Sequence, residues 1–232
     1  MEIKVKILAI DTSCTVATAA VMDDNKLLGE YYIDDKLTHS QKLMPMIDAL
    51  LKELNLAAKD IDVFAVSTGP GSFTGLRIGI ATAKGLASGS GKAMVGVSTL
   101  KAMAYRHPMC SYDIMPMIDA RNAQVFCGKY KFENGCRTLL EPQVKNIDDI
   151  INEITTPTLV MGDGAIKNMP ALAANKNILF APPHLNMPSA ASVCTAAMDE
   201  LRKNGAKTPD EVNAVYIRKS QAEQEKERMN EK

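Results

Sequence analysis

Residues 5–11 form a nearly unbroken apolar run that ends on Asp11, and Asp11 is followed by Thr12 and Ser13. A carboxylate at the end of a buried strand, with two hydroxyls behind it, is suited to steadying a metal–phosphate cluster. The hydroxyls and the N–H groups of the turn can then meet phosphate oxygens. The same tripeptide also makes an Asx turn, in which Asp11 only secures its own hairpin. The second candidate is residues 68–79, TGPGSFTGLRIG. A strand gives way there to a Gly-Pro-Gly turn, and a helix begins near Ser72–Thr74. A helix N-terminus presents unpaired N–H groups, and Gly71 lets a ligand or another stretch of chain come close. Asp11, Thr12, Gly69, Gly71 and Ser72 are therefore the candidate nucleotide-binding residues. The loop lacks the Gly-Lys-Ser/Thr of a Walker A motif, and its third glycine comes one residue late for Gly-x-Gly-x-x-Gly.

Gly75 and Gly79 share one face of the helix that follows, Ala83 continues their stripe, and Arg77 lies beside it. Such a stripe admits another backbone at close range, either the protein's own sheet or a second molecule. In the earlier helical segment, residues 40–54, Leu43, Met46, Ile47, Leu50, Leu51 and Leu54 recur at helical spacing. Pro45 inside it predicts a kink or a late start. His39, Leu43, Met46, Ile47, Leu50, Gly75, Arg77, Gly79 and Ala83 make up the candidate partner or dimer interface. An N-terminal lobe of this size leaves such faces incompletely covered.

These groups must be positioned by strands and helices, and the order of elements repeats. Strands are predicted at 5–11, 15–21, 27–33, 62–68 and 94–97, with helices at 40–54, 74–88 and 99–106. A second series has strands at 113–119, 124–130, 136–143 and 158–161 and helices at 147–154 and 189–203, with Ser189 as N-cap. Ile10-Asp11-Thr12 is echoed by Ile118-Asp119-Ala120, followed by Arg121 where the first copy has a hydroxyl. The pattern is βββαβα twice: an α/β protein of two duplicated lobes, residues 1–106 and 107–218, the second truncated in its last elements. An Asp119–Arg121 pair would steady the second turn. Residues 219–232 carry four basic and four acidic side chains and almost nothing apolar, which predicts a flexible tail, with Ser220 and Glu223 spaced for a capping box.

Across 232 residues, Lys+Arg is 27 and Asp+Glu is 27, a formal net charge of 0. A bulk electrostatic grip on nucleic acid is not expected from such a chain. The three histidines, His39, His107 and His184, are scattered, so a His-x-x-x-His metal site is absent. His39 reads as a helix-end contact and the other two as loop residues. The five cysteines are odd in number and show no Cys-x-x-Cys spacing, which points to reduced thiols and a cytoplasmic protein rather than a disulfide framework. No apolar stretch reaches membrane-spanning length, and Lys4 and Lys6 interrupt any signal-like N-terminus.

Residues 7–13, His39-Ser40, the 68–79 block, residues 96–100, 118–121 and Tyr216-Ile217-Arg218 occur in the order in which similar segments occur in the TsaD/glycoprotease-like family. The chain resembles the bacterial branch of that family whose members assist catalysis, and the resemblance spans nearly everything before the charged tail. It implies the two-lobed ASKHA fold shared with actin and sugar kinases. It also implies a role in forming N6-threonylcarbamoyladenosine in tRNA. In that system a TsaD-like subunit transfers the threonylcarbamoyl group. The assisting member binds TsaD, reaches a TsaE-like ATPase through the assembly, meets tRNA mainly through the complex, and forms homodimers through helices of its first lobe. The catalytic relative has Gly-Val-His-His-x-x-x-His after the equivalent strand. Alignment on Gly96-Val97 places Thr99 and Met103 at its two ligand positions. A hydroxyl and a thioether do not replace two imidazoles on a hard or borderline metal. The expectation is a non-catalytic scaffold or activator with no metal or cofactor of its own. The alternative is an ATP-binding or ATP-hydrolysing ASKHA enzyme built on Asp11, Thr12 and the Gly-Pro-Gly turn. Peptidase activity finds no Ser–His, Cys–His or metal pairing to support it.

Overall fold

The structure is a computed structural model that describes residues 5–35 and 38–218. The charged tail and its Ser220–Glu223 capping box lie outside the described residues. The first sheet is built around β1 (Lys6–Asp11), which runs antiparallel to β2 (Val16–Asp23) and parallel to β4 (Val63–Gly69). Strand β3 (Lys26–Asp34) closes one edge and β5 (Ala93–Ser98) the other, giving the order β3-β2-β1-β4-β5. A central strand is covered on both faces, which explains why β1 reads as a continuous apolar run. Leu8 and Ile10 point to α1 (His39–Glu53) and α2 (Phe73–Ser90). Ile7 and Ala9 point the other way, to α7 (Ala190–Asn204). The short helix α3 (Thr99–Ala104) leads out of β5 toward the second half.

The second sheet repeats the plan. It contains β6 (Asp113–Asp119), β7 (Gln124–Phe132), β8 (Cys136–Asn146), β9 (Thr158–Met161) and β10 (Ile178–Phe180), with the order β8-β7-β6-β9-β10. Strand β6 is antiparallel to β7 and parallel to β9, as β1 is to β2 and β4. Each strand therefore has a counterpart at the same place in the other sheet, as expected of a duplicated fold. Helix α4 (Ile147–Glu153) packs on this sheet, followed by the one-turn helices α5 (Asp163–Lys167) and α6 (Met169–Leu172). The fifth strand, β10, is only three residues long, too short for any alternation of apolar and polar positions to show.

Helix α1 starts at His39, ahead of Pro45, so the late start is not observed. Thr38 takes the extended N-cap conformation and its carbonyl receives the N–H of Gln41 at 3.1 Å. Helix α7 belongs to the second half of the sequence but covers the first sheet. Ser189 is its N-cap residue, yet its hydroxyl bonds no helix N–H; it donates to Glu30 Oε1 of β3 at 2.7 Å. The same oxygen accepts from Thr18 Oγ1 at 3.0 Å and from the Ala191 N–H at 3.2 Å. A carboxylate from a distant strand thus sits on the positive end of α7, where the helix dipole favours it. Between the sheets runs an apolar seam that joins Cys14 and Val16 to Leu100 and Met103 of α3 and to Ile114, Ile118 and Met161 of the second sheet. Among the described residues no helix is long and apolar enough to cross a membrane.

Candidate functional site

The five candidate nucleotide-binding residues come together, but the space between them is filled by the chain itself. Asp11 is fully buried. Its Oδ1 accepts the Ser13 N–H at 2.8 Å and the Ser13 hydroxyl at 2.7 Å, and its Oδ2 accepts the Ser67 hydroxyl. Burial pushes its pKa above the usual carboxylate value, and the hydrogen bonds from Ser67 and Ser13 oppose that shift. Thr12 turns its hydroxyl away from solvent to donate to the Gly75 carbonyl at 2.7 Å. Ser72 caps α2 by accepting the Gly75 N–H at 3.2 Å, and its own N–H donates to the Ser13 carbonyl at 2.7 Å. A Cβ on Gly71 would lie 2.4 Å from the Ser13 carbonyl oxygen, and one on Gly75 would lie 2.0 Å from that of Thr12. The β1–β2 turn is wedged against the first turn of α2, and the glycines permit that contact. Gly69, at φ +125°, answers to a different neighbour, the carbonyl oxygen of Val215, which a Cβ would meet at 2.4 Å. The cluster works as an internal joint between the β1–β2 turn and the first turn of α2.

An Asp11→Asn substitution tests the electrostatics of that joint. The ionised carboxylate is the form that burial penalises, and the folded protein holds the Asp11 proton more tightly than the unfolded chain does. Stability from this group is therefore lost as pH rises from the ordinary carboxylate range through the raised value. The stability difference is expected to move in favour of the Asp11→Asn variant over that window and to level off above it. Urea unfolding at a series of pH values checks this. A difference that does not change with pH would show that burial leaves Asp11 unshifted.

The matching turn of the second sheet is built differently. Arg121, Asn122 and Ala123 all have left-handed backbone, with φ of 65°, 52° and 55°. Asp119 holds the turn by accepting the Arg121 N–H at 3.0 Å, and the cation on its other oxygen is Lys167, at 2.6 Å. The contact expected between Asp119 and Arg121 is thus made by the arginine's backbone. Asp163 accepts the Asp119 N–H at 3.0 Å, and burial raises its pKa. Nothing in the spacing of Lys167 or Asp163 announced these roles.

Most of the candidate interface residues face inward. Leu43, Ile47 and Leu50 lie in the core under the first sheet with Leu8, Phe64 and Val66, and Met46 is buried as well. Gly75, Gly79 and Ala83 are buried against that sheet; a Cβ on Gly79 would come 2.4 Å from Thr12 Oγ1. The first lobe does cover these faces, because α1 and α2 share one apolar layer. His39 donates from Nε2 to the Cys14 carbonyl at 2.8 Å, a helix-end contact as expected. Arg77 alone of the set is exposed; its guanidinium lies 3.8 Å from the Phe73 ring centroid. The surface left open on α2 carries Thr74, Arg77, Ala81 and Gly85, and on α1 it carries Met44 and Pro45. A second small-residue stripe, Ala81 and Gly85, was present in the sequence, but the inward and outward stripes look alike until the sheet fixes the helix rotation.

Thr99 and Met103 are fully buried, Met103 in the apolar seam, and Thr99 Oγ1 has no hydrogen-bond partner. Among the described residues no three His, Cys, Asp or Glu side chains are grouped to hold a metal. His107 points its Nε2 at the Leu185 carbonyl, 3.2 Å away, and burial lowers its pKa.

Two sheets of the same strand order, joined through a seam below paired Asp-bearing turns, define an ASKHA-class α/β protein. Solved structures agree on the fold. YeaZ from Pseudomonas aeruginosa superposes with a TM-score of 0.77 at 24% identity, covering 91% of this chain and 99% of that one. Component A of the (R)-2-hydroxyglutaryl-CoA dehydratase of Acidaminococcus fermentans gives 0.52 at 10% identity, covering 86% of this chain and 98% of that one. A family model described as "TsaD: tRNA N6-adenosine threonylcarbamoyltransferase" matches residues 34–226. The tRNA threonylcarbamoyladenosine biosynthesis protein TsaB of Bacillus subtilis is 34% identical over 163 residues, 67% of this chain and 70% of the relative. TsaB of Escherichia coli is 27% identical over 226 residues, 94% of this chain and 96% of the relative. The chain belongs to the TsaD family and, within it, to the TsaB (YeaZ) proteins.

Proposed function

We propose that this chain acts in the biosynthesis of N6-threonylcarbamoyladenosine in tRNA as a non-catalytic partner and activator of a TsaD-like transferase. In this reading a TsaE-like ATPase joins the same assembly in the cytoplasm. The relatives from Bacillus subtilis and Escherichia coli carry that biosynthesis in their names. One observation carries the non-catalytic half of the reading. Where the catalytic relative aligns two histidine ligands, this chain has a hydroxyl and a thioether, both fully buried and the thioether inside the apolar seam. Neither side chain supplies an imidazole, and neither is exposed to solvent. The internal use of Asp11, Thr12 and Ser72 adds to it. With a net charge of 0, tRNA would be gripped mainly by the partner. The outer faces of α1 and α2 are the surface proposed for the partner and, in its absence, for a second copy.

The test is reconstitution from purified parts, read by mass spectrometry of tRNA nucleosides. This chain alone, given threonylcarbamoyl-adenylate and tRNA, is expected to form no modified nucleoside. The TsaD-like subunit is expected to gain activity when this chain is added. Modification by this chain alone would overturn the non-catalytic reading, and an unchanged nucleoside profile after its depletion in cells would overturn the pathway.

A further inference from the structure

Tyr216-Ile217-Arg218 has no part in the β1–β2 joint; it touches the outer side of α2 through Arg77 and bonds both halves of the molecule. Residues 213–218 run without regular structure from the side of α2 to the second sheet. Asn213 Oδ1 accepts from Lys84 of α2 at 3.3 Å. The Val215 N–H donates to the carbonyl of Thr68 in β4 at 2.8 Å, and the Val215 carbonyl lies where a side chain on Gly69 would have to go. The Tyr216 ring packs on Phe73 with centroids 4.9 Å apart, and its hydroxyl accepts from Arg77 Nε at 3.1 Å. Two residues later the chain has left the first lobe. Arg218 donates from Nη1 to the Ala120 carbonyl at 3.1 Å and from Nη2 to Gln124 Oε1. Gln124 is oriented for this by its own amide N–H, which donates to Asn146 at 3.0 Å. Ala120 and Gln124 flank the turn between β6 and β7, the counterpart of the Asp11–Ser13 turn.

We propose that residues 213–218 form a clamp across the mouth of the interlobe seam, with Tyr216 anchoring it in the first lobe and Arg218 in the second. The seam itself is apolar, and apolar contact holds surfaces together without fixing their angle. A guanidinium shared between a carbonyl and a side-chain amide does fix direction, as two fork-like donors reach two set acceptors. The clamp lies at the mouth where the lobes would have to part, so parting them requires one of its ends to let go. This role does not depend on which molecule the outer faces of α1 and α2 bind, although Tyr216 also holds Arg77 on the outer side of α2.

Cys14 reports on the seam from inside. It is buried there, and its thiol is held protonated by burial and by the nearby Asp163 and Asp11. Cys194 is an internal control, buried instead between α7 and the first sheet. In the full-length protein, Arg218→Ala is expected to speed maleimide labelling of Cys14 on the order of tenfold, as a charge-assisted contact is lost. Cys194 should stay protected. Tyr216→Ala should give the same selective exposure from the other end, and Arg218→Lys an intermediate rate, since one ammonium does not span both acceptors. Labelling is read peptide by peptide by mass spectrometry. An unchanged Cys14 rate in both alanine variants, or Cys194 rising in step with Cys14, would overturn the clamp.

Discussion

Gly75→Ala is expected to cost the first lobe about 3 kcal/mol or more, and Gly79→Ala about 1–3 kcal/mol, while Gly85→Ala on the same helix is expected to stabilise by about 0.5–1 kcal/mol. The ordering follows from what each new methyl would meet. At Gly75 it meets the backbone oxygen of Thr12 at 2.0 Å, so either the β1–β2 turn or the first turn of α2 must move. That movement would break the Ser72–Ser13 bond and disturb the bonds on Asp11. At Gly79 the obstacle is Thr12 Oγ1 at 2.4 Å, a side-chain atom that can swing aside at the expense of its bond to the Gly75 carbonyl. At Gly85 there is nothing within 4 Å, so only the lost flexibility of the unfolded chain remains. Urea unfolding of the three variants checks the order and the sign. Thr12→Ala with Gly79→Ala should cost less than the sum of the two, because the first removes the atom that the second collides with. Equal effects at Gly79 and Gly85 would mean that α2 is rotated away from the placement described.

The same helix shows what could be read from residue order and what could not. Strand ends were legible where chemistry punctuates them: Asp11 and Asp119 both close central strands, and the two sheets do share one strand order. Turn glycines were legible as points of close approach, but not what approaches. Gly71 and Gly75 admit the protein's own β1–β2 turn, and Gly69 admits Val215. Helical periodicity gave the apolar face of α1, yet Leu43, Ile47 and Leu50 look the same whether they meet a sheet or a partner. What stayed hidden was long-range. Glu30 caps a helix that begins only at Ala190, and Arg218 reaches back to Ala120 and Gln124. A lone carboxylate in a strand or an arginine near a charged tail carries no local mark of such a partner. Strand β10 was hidden for a simpler reason: three residues are too few to show a period.

Once the inward faces are assigned to the core, the docking surface can be tested without confounding it with folding. Met46 and Gly79 are poor probes, since a charge at either would be buried inside the first lobe. Ala81 and Gly85 are exposed, with room for a side chain at Gly85. Ala81→Glu and Gly85→Glu are expected to leave the unfolding midpoint of the isolated chain little changed, because exposed charges on a helix surface are well solvated. In a close helix–helix contact the same charges would be desolvated without a partner, which costs several kcal/mol. At 1.4 kcal/mol per tenfold, the complex with the TsaD-like subunit is expected to weaken by about a hundredfold or more and to vanish from co-purification. Gly85→Ala separates the two effects by sign if the proposed surface docks closely: the isolated chain is expected to gain stability while the complex loses affinity, since a methyl would stand in the contact. The self-association of the chain, measured by sedimentation, should fall with the same variants if one surface serves both partners. A complex that survives both glutamates at full strength would place the docking surface elsewhere. Because Arg77 shares this side of α2 and is held by Phe73 and Tyr216, Arg77→Ala should weaken the complex less than either glutamate does. It removes a contact without burying a charge, and a deletion of that kind forfeits only the bonds made, whereas an unpaired buried carboxylate opposes the whole interface.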